Sequence, residues 1–204
     1  MNFTSYDTIR ATVTGEITIK RSTFLAYLHP CVSKEQAQQL LEELRSKHWD
    51  AVHHCYAWRI GPNGMDYRMS DDGEPSGTAG KPLLFALQRA QLSDVLLVVV
   101  RYYGGVKLGV GPLARAYAEA GQVAIDACER IIVRDMSRVT VFCLYDDVST
   151  VTRTLEEYEA KFTATYADAI TFNVEVASEH IDVLIEAITS RTNARAGSLK
   201  ISAE

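Results

Sequence analysis

The stretch "DVLLVVVRYYGGVKLGVGPLARAY", residues 94–117, decides the fold expected for the first half of the chain. Its apolar run over residues 95–100 is typical of a strand that is buried on both faces. A glycine-rich segment follows at residues 103–112, here called the second glycine loop, and Pro112 begins a helical pattern. Because glycine weakens regular structure, such a cluster indicates unusual backbone angles or the close approach of a ligand.

A glycine-rich loop with the opposite charge lies earlier, in "SDDGEPSGTAGKP", residues 70–82, here called the first glycine loop. It also leads into a helical pattern that begins with a proline, Pro82, and the first helical position tolerates proline because its N–H would be unpaired there. Each loop joins a strand to a helix. We therefore expect the loops to lie side by side at one edge of a sheet, with an acidic wall facing a basic wall.

The remaining elements of the first half follow from hydrophobic alternation. It predicts strands over residues 11–19, 22–30 and 51–60, the first two joined at Lys20 and Arg21. A helix is expected to begin after Ser33, an N-cap residue that has Gln36 three positions later.

The second half has a different order of elements. The segments "RIIVRDMSRVTVFCLYD", "VSTVTRTLEEYEA", "KFTATYAD", "ITFNVEVASE", "HIDVLIEAITSRT" and "GSLKIS" are typical of strand, helix, strand, strand, helix and strand. This βαββαβ order is the ferredoxin-like pattern. The sequence thus predicts an α+β protein with domains at residues 1–133 and 134–204.

Composition and charge limit the partners. The 204 residues are 47% hydrophobic and 23% charged, as in ordinary soluble globular proteins. Residues 1–134 hold 15 Lys and Arg against 14 Asp and Glu, whereas residues 135–204 hold 6 against 12, so +1 and −6 give the overall −5. We expect any nucleic-acid contact to fall in the first part, because phosphates require a basic surface.

Location and cofactors follow from what the sequence lacks. It has no signal-peptide pattern, and the apolar run of residues 95–100 is too short to span a bilayer, which predicts a cytoplasmic protein without membrane contact. The cysteines have no CxxC spacing, which argues against a zinc ribbon or a disulfide framework. We expect buried free thiols, no metal and no cofactor.

The acids of the first glycine loop allow two interpretations. The segment "GTAGKP" is not a P-loop, because Pro75 and Pro82 occupy the positions of an essential glycine and hydroxyl. Asp71, Asp72 and Glu74 could bind a phosphate only through a divalent cation. We favour turn and cap contacts to backbone N–H groups, which are usual for Asp beside Gly.

The second glycine loop has the chemistry of an anion site. Gly109, Gly111 and Ala114 fit the pattern G-x-G-x-x-[GA] between a strand and a helix, where free amides favour anions. The surrounding cations and aromatic rings suit phosphate backbones and unstacked bases. They are Arg101, Lys107 and Arg115, with Tyr102 and Tyr103. The alternative is that the tyrosines are core residues and the cations a solvated rim.

The strand "HHCYAW" is a third candidate. Side chains alternate along a strand, so His53 and Cys55 share one face and His54 points to the other. At most two ligands therefore converge, and a Cys55 nucleophile would need an orienting partner that the sequence does not locate. We favour satisfied core residues.

These three segments together resemble the YigZ/IMPACT family over nearly the whole chain. The resemblance implies a first domain similar to the βαβ fold of ribosomal proteins and elongation factors, followed by a ferredoxin-like domain. It also implies a role in translation control, through binding to RNA, to the ribosome or to a ribosome-associated factor.

Two classes of function follow. We favour a non-enzymatic regulator of translation, without DNA sequence specificity, that contacts phosphates through Lys81, Arg101, Lys107 and Arg115 and bases through Tyr102 or Tyr103. The alternative is a small-molecule phosphotransferase, because "LGVGPLARA" is similar to the glycine loop of the GHMP kinases. Pro112 and Leu113 stand where that loop has paired serines.

Overall fold

The structure is a computed structural model that describes residues 5–201. These residues form two compact units, residues 5–133 and residues 134–201. Each unit combines helices with antiparallel sheet, so the fold is α+β, as predicted. No helix within residues 5–201 is long and apolar enough to cross a membrane.

The first unit contains one large sheet with helices on both faces. Its elements are β1 (Ser5–Ile9), β2 (Val13–Ile19), β3 (Ser22–Pro30), α1 (Lys34–Lys47), β4 (His53–Ile60), β5 (Asp66–Ser70), α2 (Gly80–Arg89), β6 (Val95–Tyr102), α3 (Val110–Asp126) and β7 (Arg130–Arg134). The sheet is antiparallel in the order β2-β3-β6-β4-β5. Because β3 and β4 both pair with β6, β3–α1–β4 is a βαβ unit with β6 inserted between its strands.

The core of the first unit explains the apolar run of β6. Helices α2 and α3 cover one face of the sheet, where Phe24, Leu97 and Tyr117 are buried, and α1 covers the other face, where Leu41 and Trp58 are buried. Residues 95–101 of β6 are therefore all buried. The fully buried strand that the sequence predicts is confirmed.

Local signals at the β2–β3 turn and at α1 also act as predicted. Lys20 and Arg21 have φ of 46° and 67°, which is the left-handed pair of a two-residue hairpin turn. The Ser33 hydroxyl accepts the Gln36 N–H at 3.2 Å and caps α1, while the Gln36 side chain accepts the Val32 N–H at 2.9 Å. These bonds satisfy N–H groups that have no partner within the helix.

Both proline-led helices begin earlier than predicted. Helix α2 begins at Gly80 and α3 at Val110, so Pro82 and Pro112 stand at the third helical position and not at the first. The N–H of that position also lacks an intrahelical partner, so proline still fits. The start of α2 is fixed by the carboxylate of Asp71, which accepts the N–H groups of Ala79 and Gly80 at 2.9 Å each.

The sequence does not predict β1 or β5. Strand β1 pairs with β7 in a separate two-stranded sheet, and its Tyr6 hydroxyl donates a hydrogen bond to the Asp94 carboxylate. Strand β5 is an edge strand whose residues are all exposed or half-buried. A strand with no buried face has no apolar alternation for a sequence to reveal.

The second unit has the ferredoxin-like order. Its elements are β8 (Met136–Cys143), α4 (Val148–Glu157), β9 (Lys161–Tyr166), β10 (Ile170–Ala177), α5 (Ile181–Arg191) and β11 (Gly197–Ile201). The strands form the antiparallel sheet β11-β8-β10-β9. Val141 and Phe172 of this sheet share one buried core with Leu155 of α4 and Leu184 of α5. The βαββαβ prediction is confirmed. Its first strand is shorter than expected, because the predicted strand is divided into β7 and β8. Strand β7 pairs with β1, whereas β8 pairs with β10 and β11.

Candidate functional site

The two glycine loops border one cleft in the first unit, as their connections to the sheet predict. The cleft has a volume of about 450 Å³ and mostly apolar walls. Its lining consists of Val52, His53, Glu74, Pro75, Arg101, Tyr103, Lys107, Leu108, Gly109, Val110 and Leu113. Glu74 belongs to this lining, whereas Asp71 and Asp72 of the same loop do not. The prediction of an acidic wall is therefore wrong.

The floor of the cleft contains a buried ion pair. Arg101 Nη1 donates to Glu74 Oε1 at 2.6 Å, and the Tyr117 hydroxyl donates to the same oxygen at 2.7 Å. The Arg101 guanidinium carbon also lies 5.3 Å from the centre of the Phe24 ring and 5.4 Å from that of Tyr103. Salt bridge and ring contacts together hold the guanidinium in one place.

Arg101 therefore differs from the exposed phosphate contact that the sequence predicts. Its residue is 5% exposed, because alternate residues of β6 face α3 and Arg101 pairs in register with Phe24. Glu74 also differs from a turn residue, since its side chain is 4% exposed and neutralises Arg101. The sequence places both residues correctly at the cleft but not their mutual contact.

Asp71 makes the cap contacts that the favoured interpretation predicts. One carboxylate oxygen accepts the Gly77 N–H at 2.8 Å, and the other accepts the two amides at the start of α2. Burial raises the pKa of Asp71, but the three amide hydrogen bonds outweigh burial and leave the pKa below its ordinary value. Asp71 shapes the first glycine loop from outside the cleft.

Asp72 connects the first glycine loop to α1 and β4. Its carboxylate accepts Arg45 Nη2 at 2.6 Å and the His54 N–H at 2.7 Å. Burial raises the pKa of Asp72, while the hydrogen bonds from Arg45 and His54 lower it more, so the pKa lies below its ordinary value. The predicted turn and cap contacts are therefore found for Asp71, whereas Asp72 forms a salt bridge with Arg45 and accepts a strand N–H outside the loop.

The "HHCYAW" strand places His53 at the cleft and buries Cys55. His53 Nδ1 donates to the carbonyl oxygen of Asp72 at 2.8 Å, and its Nε2 lies 3.7 Å from Glu74 Oε2. Cys55 is fully buried, and burial raises the pKa of its thiol, which disfavours the nucleophilic thiolate. Within residues 5–201, no three His, Cys, Asp or Glu side chains are arranged to hold a metal ion.

The two tyrosines after Arg101 have different environments. The Tyr102 hydroxyl contacts His48 Nδ1 at 2.9 Å and donates to Asp50 Oδ1 at 3.2 Å, and its ring packs beside the core on the α1 face. Tyr103 is 45% exposed and lines the cleft. The position of Tyr103 suits a stacking platform, whereas that of Tyr102 suits a structural residue.

The predicted cations and glycines are partly brought together. Lys107 and Gly109 line the cleft, and Lys107 is exposed. Three others lie outside the lining. Lys81 is in the first turn of α2, Gly111 is in the first turn of α3, and Arg115 is one turn further along α3. The Arg115 guanidinium remains beside the start of α3, 3.7 Å from where a Cβ on Gly111 would lie.

Sequence reasoning does not find the role of the β2–β3 turn beside the second glycine loop. A Cβ on Gly104 would lie 2.1 Å from the carbonyl group of Arg21, so only glycine allows this approach. The Gly104 N–H also donates to the Ser22 hydroxyl at 3.2 Å. This contact places the turn that carries exposed Lys20 and Arg21 against the backbone of the second glycine loop. In the sequence, the pair Gly104 and Gly105 indicates a close backbone approach but does not identify the segment that approaches.

The fold and the cleft define a class of two-domain α+β proteins with a ligand-sized cleft between glycine loops of the first unit. The Impact N-terminal domain family matches residues 20–125, and a domain of unknown function (DUF1949) matches residues 141–195. The chain belongs to the IMPACT family, which confirms the resemblance stated from its sequence.

Relatives support this assignment over most of the chain. The IMPACT family member YvyE of Bacillus subtilis is 33% identical over 94% of this chain and 88% of its own length. YigZ of Escherichia coli is 36% identical over 74% of this chain and 75% of its own. Protein IMPACT of Xenopus laevis is 40% identical, but over 53% of this chain and 36% of its own length.

A solved structure has the same overall fold. It is described as that of a hypothetical protein, is 30% identical in sequence, and superposes with a TM-score of 0.67 over 99% of this chain and 100% of its own.

Proposed function

We propose that this protein is a non-enzymatic regulator of translation that binds RNA, on its own or in the ribosome, through the second glycine loop and the β2–β3 turn. The observation that carries the proposal is the close approach of Gly104 to Arg21, which unites two basic segments at one edge of the sheet.

The exposed cations support backbone binding. Lys20, Arg21, Lys107 and Arg115 are all exposed, unlike Arg101, and can reach phosphates without breaking a buried ion pair. Phosphate contacts of this kind supply most of the sequence-independent affinity of nucleic-acid-binding proteins. The acidic balance of residues 135–204 favours the first unit as the binding part.

The phosphotransferase alternative has one supporting observation. The second glycine loop leads into α3 through Gly109, whose φ of 85° marks the kind of loop-to-helix junction at which phosphates bind. Pro112 lacks an N–H, and the serines of the similar kinase loop are absent from "LGVGPLARA". The alternative therefore serves as one arm of the test.

The test measures binding of a labelled single-stranded RNA oligonucleotide, and of purified ribosomes, at several salt concentrations. Lys107→Ala and Arg21→Ala should each weaken RNA binding and reduce the salt slope by up to about 0.7. Arg89→Ala, an exposed cation at the far end of α2, is the matched control and should change neither.

Two outcomes would contradict the proposal. One is no salt-dependent association with RNA or ribosomes at low ionic strength, because phosphate contacts require that dependence. The other is a thermal shift with ATP and magnesium but none with RNA, which would favour the phosphotransferase.

A further inference from the structure

We infer that the cleft between the glycine loops receives one unstacked RNA base, adenine or cytosine, which is recognised by its exocyclic amino group and the adjacent ring nitrogen. The inference rests on the proposed RNA binding and adds to it the chemical group that enters the cleft.

The walls of the cleft suit the faces of a base. Pro75, Leu108, Val110 and Leu113 provide apolar contact, and the exposed ring of Tyr103 lies at the same cleft. The volume of about 450 Å³ falls in the range of small-ligand sites. Proteins that read single-stranded RNA hold splayed bases between such apolar and aromatic surfaces.

The floor presents the second carboxylate oxygen of Glu74 and His53 Nε2 side by side. A carbonyl oxygen only accepts, so His53 Nδ1 carries the proton that bonds Asp72, and in the neutral ring Nε2 keeps a lone pair. Glu74 Oε1 is occupied by Arg101 and Tyr117, whereas Oε2 lies 3.7 Å from His53 Nε2. With the neutral imidazole these two acceptors cannot bond each other, but one amino group can donate an N–H to each.

Arg101 completes the pattern with a donor. Its side chain is 6% exposed and lines the cleft, and its Nε–H is buried without a hydrogen-bond partner among the described residues. A buried unpaired donor is costly, so a ligand atom that accepts from it gains affinity. On the Watson–Crick edge of adenine and cytosine an accepting ring nitrogen stands next to the amino group, whereas on that edge of guanine the neighbouring ring nitrogen carries a proton. Uracil has a carbonyl in place of the amino group and an N–H in place of the acceptor.

The rim continues the contact along the strand. Lys107 is exposed at the cleft, and the backbone carbonyl of Arg21 lies against Gly104, three residues before Lys107. A base in the cleft would leave its flanking phosphates near these cations, so the base site and the backbone surface form one continuous interface.

The test compares three oligouridine RNAs that differ at one central nucleotide: adenosine, purine riboside without the amino group, or an abasic sugar. The wild-type protein should bind the purine riboside about tenfold more weakly than adenosine, and the abasic RNA about tenfold more weakly again. Binding is measured by fluorescence anisotropy at one salt concentration.

A protein variant locates the site. Val110→Trp should fill the cleft from an exposed position and remove the preference for adenosine, while salt-dependent binding remains. Val32→Trp is the matched control outside the lining and should keep the preference, since Val110 is 66% exposed and Val32 is 67% exposed. Melting curves establish that both variants fold.

The outcomes separate this inference from the proposed function. Equal affinity for the three RNAs, with salt-dependent binding intact, would overturn base insertion and leave RNA binding standing. A preference for adenosine that survives in Val110→Trp would also overturn it, because the base would then lie elsewhere. Failure to bind any of the RNAs would overturn both.

Discussion

At the residue scale, Asp71 fixes the first glycine loop and the start of α2 with one carboxylate. Asp71→Ala removes the acceptor of three amides, so the free energy of unfolding should fall by about 2 kcal/mol. RNA affinity should change little, because Asp71 does not line the cleft. Urea unfolding measures the effect, with exposed Asp168→Ala as a control that stays within about 0.5 kcal/mol. Lost RNA affinity at unchanged stability would contradict this assignment.

The carboxylates of Asp71 and Asp72 make the stability of the fold depend on pH. Asp71 and Asp72 have pKa values lowered from 3.8, so their ionised forms stabilise the fold above that value. This contribution is lost as pH falls through the lower, folded-state pKa values. The free energy of unfolding should therefore decrease on acidification from about pH 5 downward, and decrease less in Asp71→Asn. Identical acid dependence in the two proteins would refute the linkage.

The Glu74–Arg101 pair is also a residue-scale feature. Arg101→Met should lower the free energy of unfolding by about 3–5 kcal/mol, because Glu74 is left charged and buried. Glu74→Gln should lower the free energy of unfolding less in the Arg101→Met variant than in the wild type, and a double-mutant cycle measures this difference. The exposed pair of Arg10 and Glu129 is the control, expected to couple by less than about 1 kcal/mol. Additive losses at Glu74 and Arg101 would mean that the two side chains do not interact.

At the element scale, the β2–β3 turn and the second glycine loop depend on Gly104. Gly104→Ala should lower both stability and RNA affinity, because its Cβ would collide with the backbone of Arg21 and push the loop away. Gly197→Ala, which adds a Cβ in open space, should change neither. Melting curves and RNA titrations on both variants test this, and unchanged RNA affinity in Gly104→Ala would separate the loop from the turn.

The elements that can be predicted from the sequence are those whose signals are local. The apolar run of β6, the Ser33 cap and the turn at Lys20 and Arg21 each act within a few residues. The exact start of α2 could not be predicted, since it depends on hydrogen bonds from Ala79 and Gly80 to the Asp71 carboxylate, which lies earlier in the chain. The edge strand β5 was missed because none of its side chains is fully buried.

At the scale of the whole molecule, the same distinction applies to the candidate site. The glycine loops allow the cleft to be predicted, because a cluster of glycines indicates unusual backbone angles or the close approach of another group. The pairing of Glu74 with Arg101 joins the first glycine loop to β6 through a tertiary contact, so the sequence suggests two separate charges instead. His53 shows the same limit, as its role depends on the Asp72 carbonyl that orients it.

The division of charge leads to a prediction about the two units. We expect a fragment of residues 1–133 to unfold cooperatively and to bind RNA at least as tightly as the full chain, because its core is self-contained and residues 135–204 carry a net charge of −6. Circular dichroism melting and RNA titration of the fragment measure this. A fragment that folds but no longer binds RNA would place the binding surface partly in the second unit.

The turn between β2 and β3 has a cost that its position explains. Lys20 and Arg21 both adopt left-handed backbone conformations, which asparagine and glycine adopt more easily than long side chains do. A turn optimised for stability alone would carry those smaller residues, and it would then lose two cations beside the second glycine loop. If the turn binds ligand as we propose, this mild conformational strain is retained in exchange for two cations at the binding surface.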